Sequence, residues 1–241
     1  MVDEFSGGPE TASGTVETDA KVARPIAARW TWFRILFVAF LITSGAMIAS
    51  NLHAAVVVPA LFATDAPDAF LLTQAHIVDY GQVGTSIAFL VSYFGCAIAY
   101  ACFMARSIYN ARLRYPDQVK MSPHGYWLWH IVPIASLYKP VNGMVEVWHA
   151  LHPGGEGPTT PLIPLWWGFW VVGSLVGLGD RLFPASQIDF MLSPGSVDAY
   201  VSYQLYGSAL AVIVGLSAFF LLRLAGQLKE LQLVQPAEIF A

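Results

Sequence analysis

The sequence predicts an all-α, polytopic membrane protein: a four-helix transmembrane bundle with a re-entrant or interfacial amphipathic helical element on its cytoplasmic side. Three observations carry the prediction. The chain is 56% hydrophobic and only 12% charged, with a mean hydropathy of +0.56, whereas a soluble domain carries about 25% charged residues. Four apolar runs approach the roughly 20 residues that a helix needs to cross a hydrocarbon core. Eleven of the twelve Lys and Arg residues fall on one side of those runs.

The runs cover residues 33–58, 82–104, 162–179 and 203–227. Each is expected to be helical, because an open strand edge in lipid leaves backbone groups unpaired. The first should end before Pro59, and the second should continue as a cytoplasmic helix through Arg114. The third is the shortest and is opened by Pro161 and Pro164. These runs make one membrane domain, residues 30–230. Before it, residues 1–29 read as a disordered cytoplasmic tail, too polar to bury a core; after it, residues 231–241 read as a cytoplasmic C-terminal tail. An acidic tail, then a basic cluster, then a long apolar run is not the order of a secretory signal.

Charge sets the orientation. Lys21, Arg24, Arg29 and Arg34 precede the first run, and Arg106, Arg112, Arg114, Lys120 and Lys139 follow the second. Arg223 and Lys229 close the fourth. The loop at 60–80 holds Asp65, Asp68 and Asp79 with no Lys or Arg, and the loop after the third run sets Asp180, Asp189 and Asp198 against Arg181. The excess of Lys and Arg marks the cytoplasmic side, which places both termini there.

Residues 125–138 are apolar but too few to span, and they contain Pro133, so a re-entrant or interfacial element is expected. A crossing here would strand Arg223 and Lys229 outside. From Lys139 to His152 the pattern is an amphipathic helix with Pro140 in its first turn. Val141, Met144, Val145, Trp148 and Leu151 share one face, with Asn142, Glu146 and His149 opposite. Two placements fit: in the cytoplasmic interface with Trp148 at headgroup depth, or packed under the bundle. Small residues form packing seams at Gly173 and Gly177, and at Gly207, Ala211 and Gly215. Packing within the bundle is the expected role, self-association the alternative.

Candidate chemistry is sparse. No ionisable group sits at mid-depth in a run, where a proton or ion path would need one. His53, near the outer end of the first run, is expected to be a hydrogen-bonded structural residue. Cys96 and Cys102 are six residues apart on one helix and cannot bridge each other; both are expected to be buried and inert. Glu146 and His149 form an ExxH pair with His130, His124 and His152 near in sequence. A carboxylate-bridged dimetal site needs that pair twice plus two further Glu residues, so Glu146, His149 and His130 are only weak metal candidates. Glu146 is expected instead to pair with a loop Arg or Lys. No cofactor is expected. The glycines at 154, 155 and 157 lack a following Lys-Ser/Thr and form a connector, not a phosphate cradle. The basic residues are scattered at the ends of the runs without interleaved stacking aromatics, so no nucleic-acid partner is expected.

The blocks SPHGYWLWHIVPIASLYKPVNGMVEVWHAL and PLIPLWWGFWVVGSLVG, between Ser122 and Gly177, resemble the bacterial membrane family catalogued as domain of unknown function 4328. The carrying positions are Pro123, Trp127, Trp129, Pro133, Pro140, Met144, Glu146, Trp148, Trp166 and Trp167, with Arg106, Tyr109 and Asn110 upstream. His124 interrupts the usual Pro-Gly junction. The resemblance implies a bacterial inner-membrane location and the multi-pass architecture, and it implies no catalytic residue. The expected function is therefore a non-enzymatic accessory, scaffold or sensing module, with the bilayer and a membrane-protein or self partner. The competing readings are an interfacial enzyme or metal protein built on Glu146, His149 and His130, and a small-solute or lipid transport element.

Overall fold

The structure, a computed structural model, describes residues 25–130, 132, 134–152, 157, 158, 160–182 and 196–234. All regular structure among them is helical. Five α-helices run Ala27–Phe62 (α1), Ala69–Arg114 (α2), Lys139–Ala150 (α3), Leu162–Leu182 (α4) and Ser196–Val234 (α5). Two 3-10 turns, Tyr126–His130 and Ala135–Leu137, lie between α2 and α3. Most of the expected N-terminal tail, Pro133, residues 154 and 155 of the connector, Asp189 and most of the C-terminal tail lie outside the described residues.

The helices are longer than the apolar runs. At 1.5 Å per residue the 36 residues of α1 reach roughly 54 Å and the 46 of α2 roughly 69 Å, against a hydrocarbon core of about 30 Å. α1 starts inside the stretch expected as tail and continues through Pro59 to Phe62. A proline in the last turn removes one backbone donor without ending the helix. Residues 69–80, expected as loop, are the first turns of α2. The Asp68 carboxylate starts them by accepting the Leu71 N–H at 2.7 Å, an N-cap. At the far end α5 runs on to Val234, so residues 231–234 are helix, not tail.

α1 and α2 form an antiparallel hairpin around the turn at 63–68. Phe33, Phe37 and Phe103 stack in its core, with Phe33 and Phe103 fully buried. Thr43 and Ser92 share a hydroxyl hydrogen bond of 2.7 Å further along. With no water to expel between helices in lipid, such dispersion contacts and hydrogen bonds carry the packing. α5 lies antiparallel on the other side of α1: a Cβ on Gly207 would sit 3.2 Å from Asn51 Nδ2, and one on Gly226 would sit 3.5 Å from the Trp30 ring. α4 lies antiparallel against α5, where Gly173 admits Val214 and Ile213, and Gly177 approaches Leu210. Ala211 is buried, whereas nothing lies within 4 Å of a Cβ on Gly215.

The packing order is thus α2, α1, α5, α4. α2 and α4 share no extended contact; the segment from Tyr115 to Pro161 joins them at one end. The start of α1 and the end of α5 lie at that same end. Large apolar side chains such as Ile42, Val56, Val91 and Ile98 point away from the helical body, the arrangement of helices whose solvent is lipid. Cys96 is buried and its thiol donates to the Leu36 carbonyl, but Cys102 is exposed, contrary to expectation.

Candidate functional site

The blocks that carry the family resemblance converge on the connector, residues 115–161, and its seat against α2 and α4. Tyr126 is the centre. Its hydroxyl donates to the Pro140 carbonyl at 3.0 Å and lies 2.6 Å from the Tyr100 hydroxyl. A carbonyl only accepts, so the Tyr126 proton is committed to Pro140 and Tyr100 must donate to Tyr126. The chain Tyr100 to Tyr126 to Pro140 therefore ties α2, the first 3-10 turn and α3 together in one direction. Burial pushes the Tyr126 phenol well above its ordinary range, so it stays protonated and keeps that direction.

Beneath the Tyr126 ring lies Gly143 of α3. A Cβ there would be 2.8 Å from Tyr126 Cε2 and 3.1 Å from Met121 Cε. Only a residue without a side chain lets α3 approach this closely. Met144 and Val147 are fully buried, Trp148 is 5% exposed, and Val141 and Val145 are half-buried. The apolar face of α3 therefore packs under the helical body, the second of the two placements the sequence allowed. Trp148 is not at an outer surface; its indole N–H donates to the Pro158 carbonyl at 2.7 Å.

Glu146 does not pair with a Lys or Arg side chain as expected. Its Oε2 accepts the backbone N–H groups of Lys120 at 3.0 Å and Met121 at 3.1 Å, clamping the loop after α2 onto α3. Two bonds to one carboxylate oxygen are charge-assisted, which strengthens the clamp. His149 lies on the half-exposed side of α3. His130 sits elsewhere, edge-on to Tyr126, Tyr100 and Trp170 at ring-centroid distances of 5.2, 5.6 and 6.3 Å. Among the described residues, no three His, Cys, Asp or Glu side chains come together as a metal site.

α4 supplies the other wall. Trp166 is 2% exposed and packs edge-on to Tyr100, while its carbonyl accepts from Ser217 of α5. Trp167 turns outward, donates to the Leu137 carbonyl at 3.1 Å and stacks on Trp170. Pro140 is fully buried in the first turn of α3, Pro123 is half-buried in the preceding loop, and Lys139 sits 5.4 Å over the Trp129 ring. The opposite side of the connector is apolar and uncovered: Trp127, Leu128, Val132, Ile134, Leu137 and Tyr138 are all exposed. A shallow groove of about 420 Å³ opens nearby, between Trp148 and His152 on one side and Gln227 and Glu230 of α5 on the other.

A second polar locus lies toward the opposite end of α1, around His53; the sequence marked that residue but missed its partner on α2. His53 Nε2 donates to Gln74 Oε1 at 3.0 Å, the structural role expected of it. Asn51 and Gln204 are buried close by on α1 and α5. Gln74 lay in what read as a loop, so no helical neighbour could be assigned to His53.

These features define a class: an all-helical protein with three helices, α1, α2 and α5, long and apolar enough to cross a membrane, and a shorter apolar helix, α4. The chain belongs to the family described as domain of unknown function (DUF4328), whose family model matches residues 69–225. The match begins at the first residue of α2 and ends within α5, so it contains the whole connector and leaves α1 outside. No curated protein and no solved structure matches the chain. The family description brings no activity with it.

Proposed function

We propose that this chain is a non-enzymatic, four-span inner-membrane module of a bacterium whose connector forms a belt in the cytoplasmic interface, serving as an accessory, scaffold or sensing element. α4 acts as the fourth span, and both termini are cytoplasmic. The carrying observation is the two-sidedness of the connector. Its inner side is tied down by Tyr100, Tyr126, Pro140 and Glu146, while its outer side presents Trp127, Leu128, Val132, Ile134, Leu137 and Tyr138.

An aromatic and aliphatic face of this kind is favourable at a headgroup boundary. Lys139, stacked over Trp129 and Tyr138, adds a cation at the level of the phosphates. The antiparallel order of the long helices supports the count, since the segment between α2 and α4 begins and ends at one end of the body. The basic residues Arg106, Arg112, Arg114, Lys120 and Lys139 lie at or after that end of α2. The clamp from Glu146 to two backbone N–H groups supports a mechanical role for that residue. Lipid is the partner this face fits, with a membrane protein or a second copy against the helical body as a further partner; no cofactor and no nucleic acid belong to the reading.

Lipid-attached quenchers test it. A fluorophore on Leu128→Cys, in a Cys102→Ser background and in bilayers, should be quenched most by labels near the glycerol level. Equal quenching by an aqueous quencher, with none from the lipid labels, would refute the interfacial seat.

A further inference from the structure

The His130 ring has a buried nitrogen, Nε2, with no hydrogen-bond partner. Burial disfavours the charged ring and outweighs the neighbouring backbone of Tyr126 and Trp127, which favours it. Buried polar atoms without a partner are rare and ask for a reason. His130 also has an unusual position: it touches Tyr100 of α2, Tyr126 of the connector and Trp170 of α4, the three elements that meet at the cytoplasmic end.

We propose that His130 is a proton-operated latch: neutral, it seats the connector between α2 and α4, and proton uptake by its ring unseats it. This rests on the interfacial reading of the connector and adds its regulation. The proton comes from cytoplasmic water and no other bond changes. An imidazolium in this box has no counter-ion among the described residues. α2 offers the Tyr100 hydroxyl, the connector the Tyr126 hydroxyl, and α4 only the rings of Trp166 and Trp170. On α3, Glu146 is held by Lys120 and Met121, and Lys139 is itself a cation over Trp129. Burial accordingly holds the imidazole below its ordinary value. The sign follows: the seated state binds fewer protons than the open one. Seating is therefore unaffected well above the ordinary histidine value of about 6.5 and is lost as pH falls below it toward the lowered value.

Spin labels on Leu128→Cys and Arg112→Cys of the full chain in nanodiscs, with Cys102→Ser, report the connector's distance from α2. A narrow distance distribution is expected at about pH 8, with a second, longer population growing toward about pH 5. His130→Leu should stay narrow at both values, and His130→Gln serves the same purpose if the leucine variant fails to fold. An unchanged wild-type distribution, or an equal pH response in the neutral variant, overturns the latch. Lipid quenching at Leu128 at about pH 8 decides the interfacial reading separately, because it requires no titration.

Discussion

Gly143→Ala is expected to destabilise this protein, although alanine is the better helix former by about 1 kcal/mol. The added Cβ would lie 2.8 Å from Tyr126 Cε2, and the ring cannot swing aside. Its hydroxyl is fixed by Pro140 and Tyr100, and its own residue is 1% exposed. Overpacking a site that cannot relax costs about 1–3 kcal/mol, enough to reverse the helix preference. Gly143→Leu should cost more and should separate α3 from the first 3-10 turn. Unfolding in mild detergent, followed by tryptophan emission, measures both. A stabilised Gly143→Ala would show that α3 does not approach Tyr126 this closely.

The second large effect is an asymmetry between two tyrosines. Tyr126→Phe removes the donor to the Pro140 carbonyl and the acceptor for Tyr100, leaving two buried groups unpaired. Each such group costs about 1–3 kcal/mol, so the loss should reach about 2–4 kcal/mol after some relaxation. Tyr100→Phe leaves the Tyr126 to Pro140 bond intact and should cost only about 0.5–1.5 kcal/mol. Because the two hydroxyls touch, the double variant should be less destabilised than the sum of the singles. Equal losses in the two single variants would mean that the proton order along this chain is not the one deduced.

The long apolar helices and the family were legible because they depend on long, strong patterns. Apolar run length identified α1, α2, α4 and α5, and the resemblance carried by Trp127, Trp129, Met144, Glu146, Trp166 and Trp167 led to the family the chain belongs to. Helix ends were less legible, for a physical reason. Hydropathy reports where lipid is, whereas a helix ends where backbone groups find caps. The Asp68 cap and the stretch from Ala69 to Tyr80 carry helix information that a hydropathy window ignores. Similarly, Pro59 looked like a stop, yet a last-turn proline is compatible with a helix reaching Phe62.

The connector was legible as a place but not as a geometry. The periodicity of α3 gave its apolar face, but not whether lipid or protein covers it. Gly143 was not singled out, because a close approach depends on the ring of Tyr126, distant in sequence and local in space. Glu146 was read through its charge and found its partners in backbone N–H groups, which every residue carries and no pattern distinguishes. His130 was weighed as a metal ligand beside His149 and Glu146; the fold instead surrounds it with rings.

The central claim is that the connector, the start of α1 and the end of α5 lie on one side of the membrane. Single cysteines at Thr64, Asp117 and Glu230, in a Cys102→Ser background, test it with a membrane-impermeant thiol reagent on intact cells and after permeabilisation. All three positions are exposed, in the α1–α2 turn, the connector and the last turns of α5. The expected result is labelling of Thr64→Cys in intact cells, and of Asp117→Cys and Glu230→Cys only after permeabilisation. Labelling of Asp117→Cys and Glu230→Cys from opposite sides would contradict it.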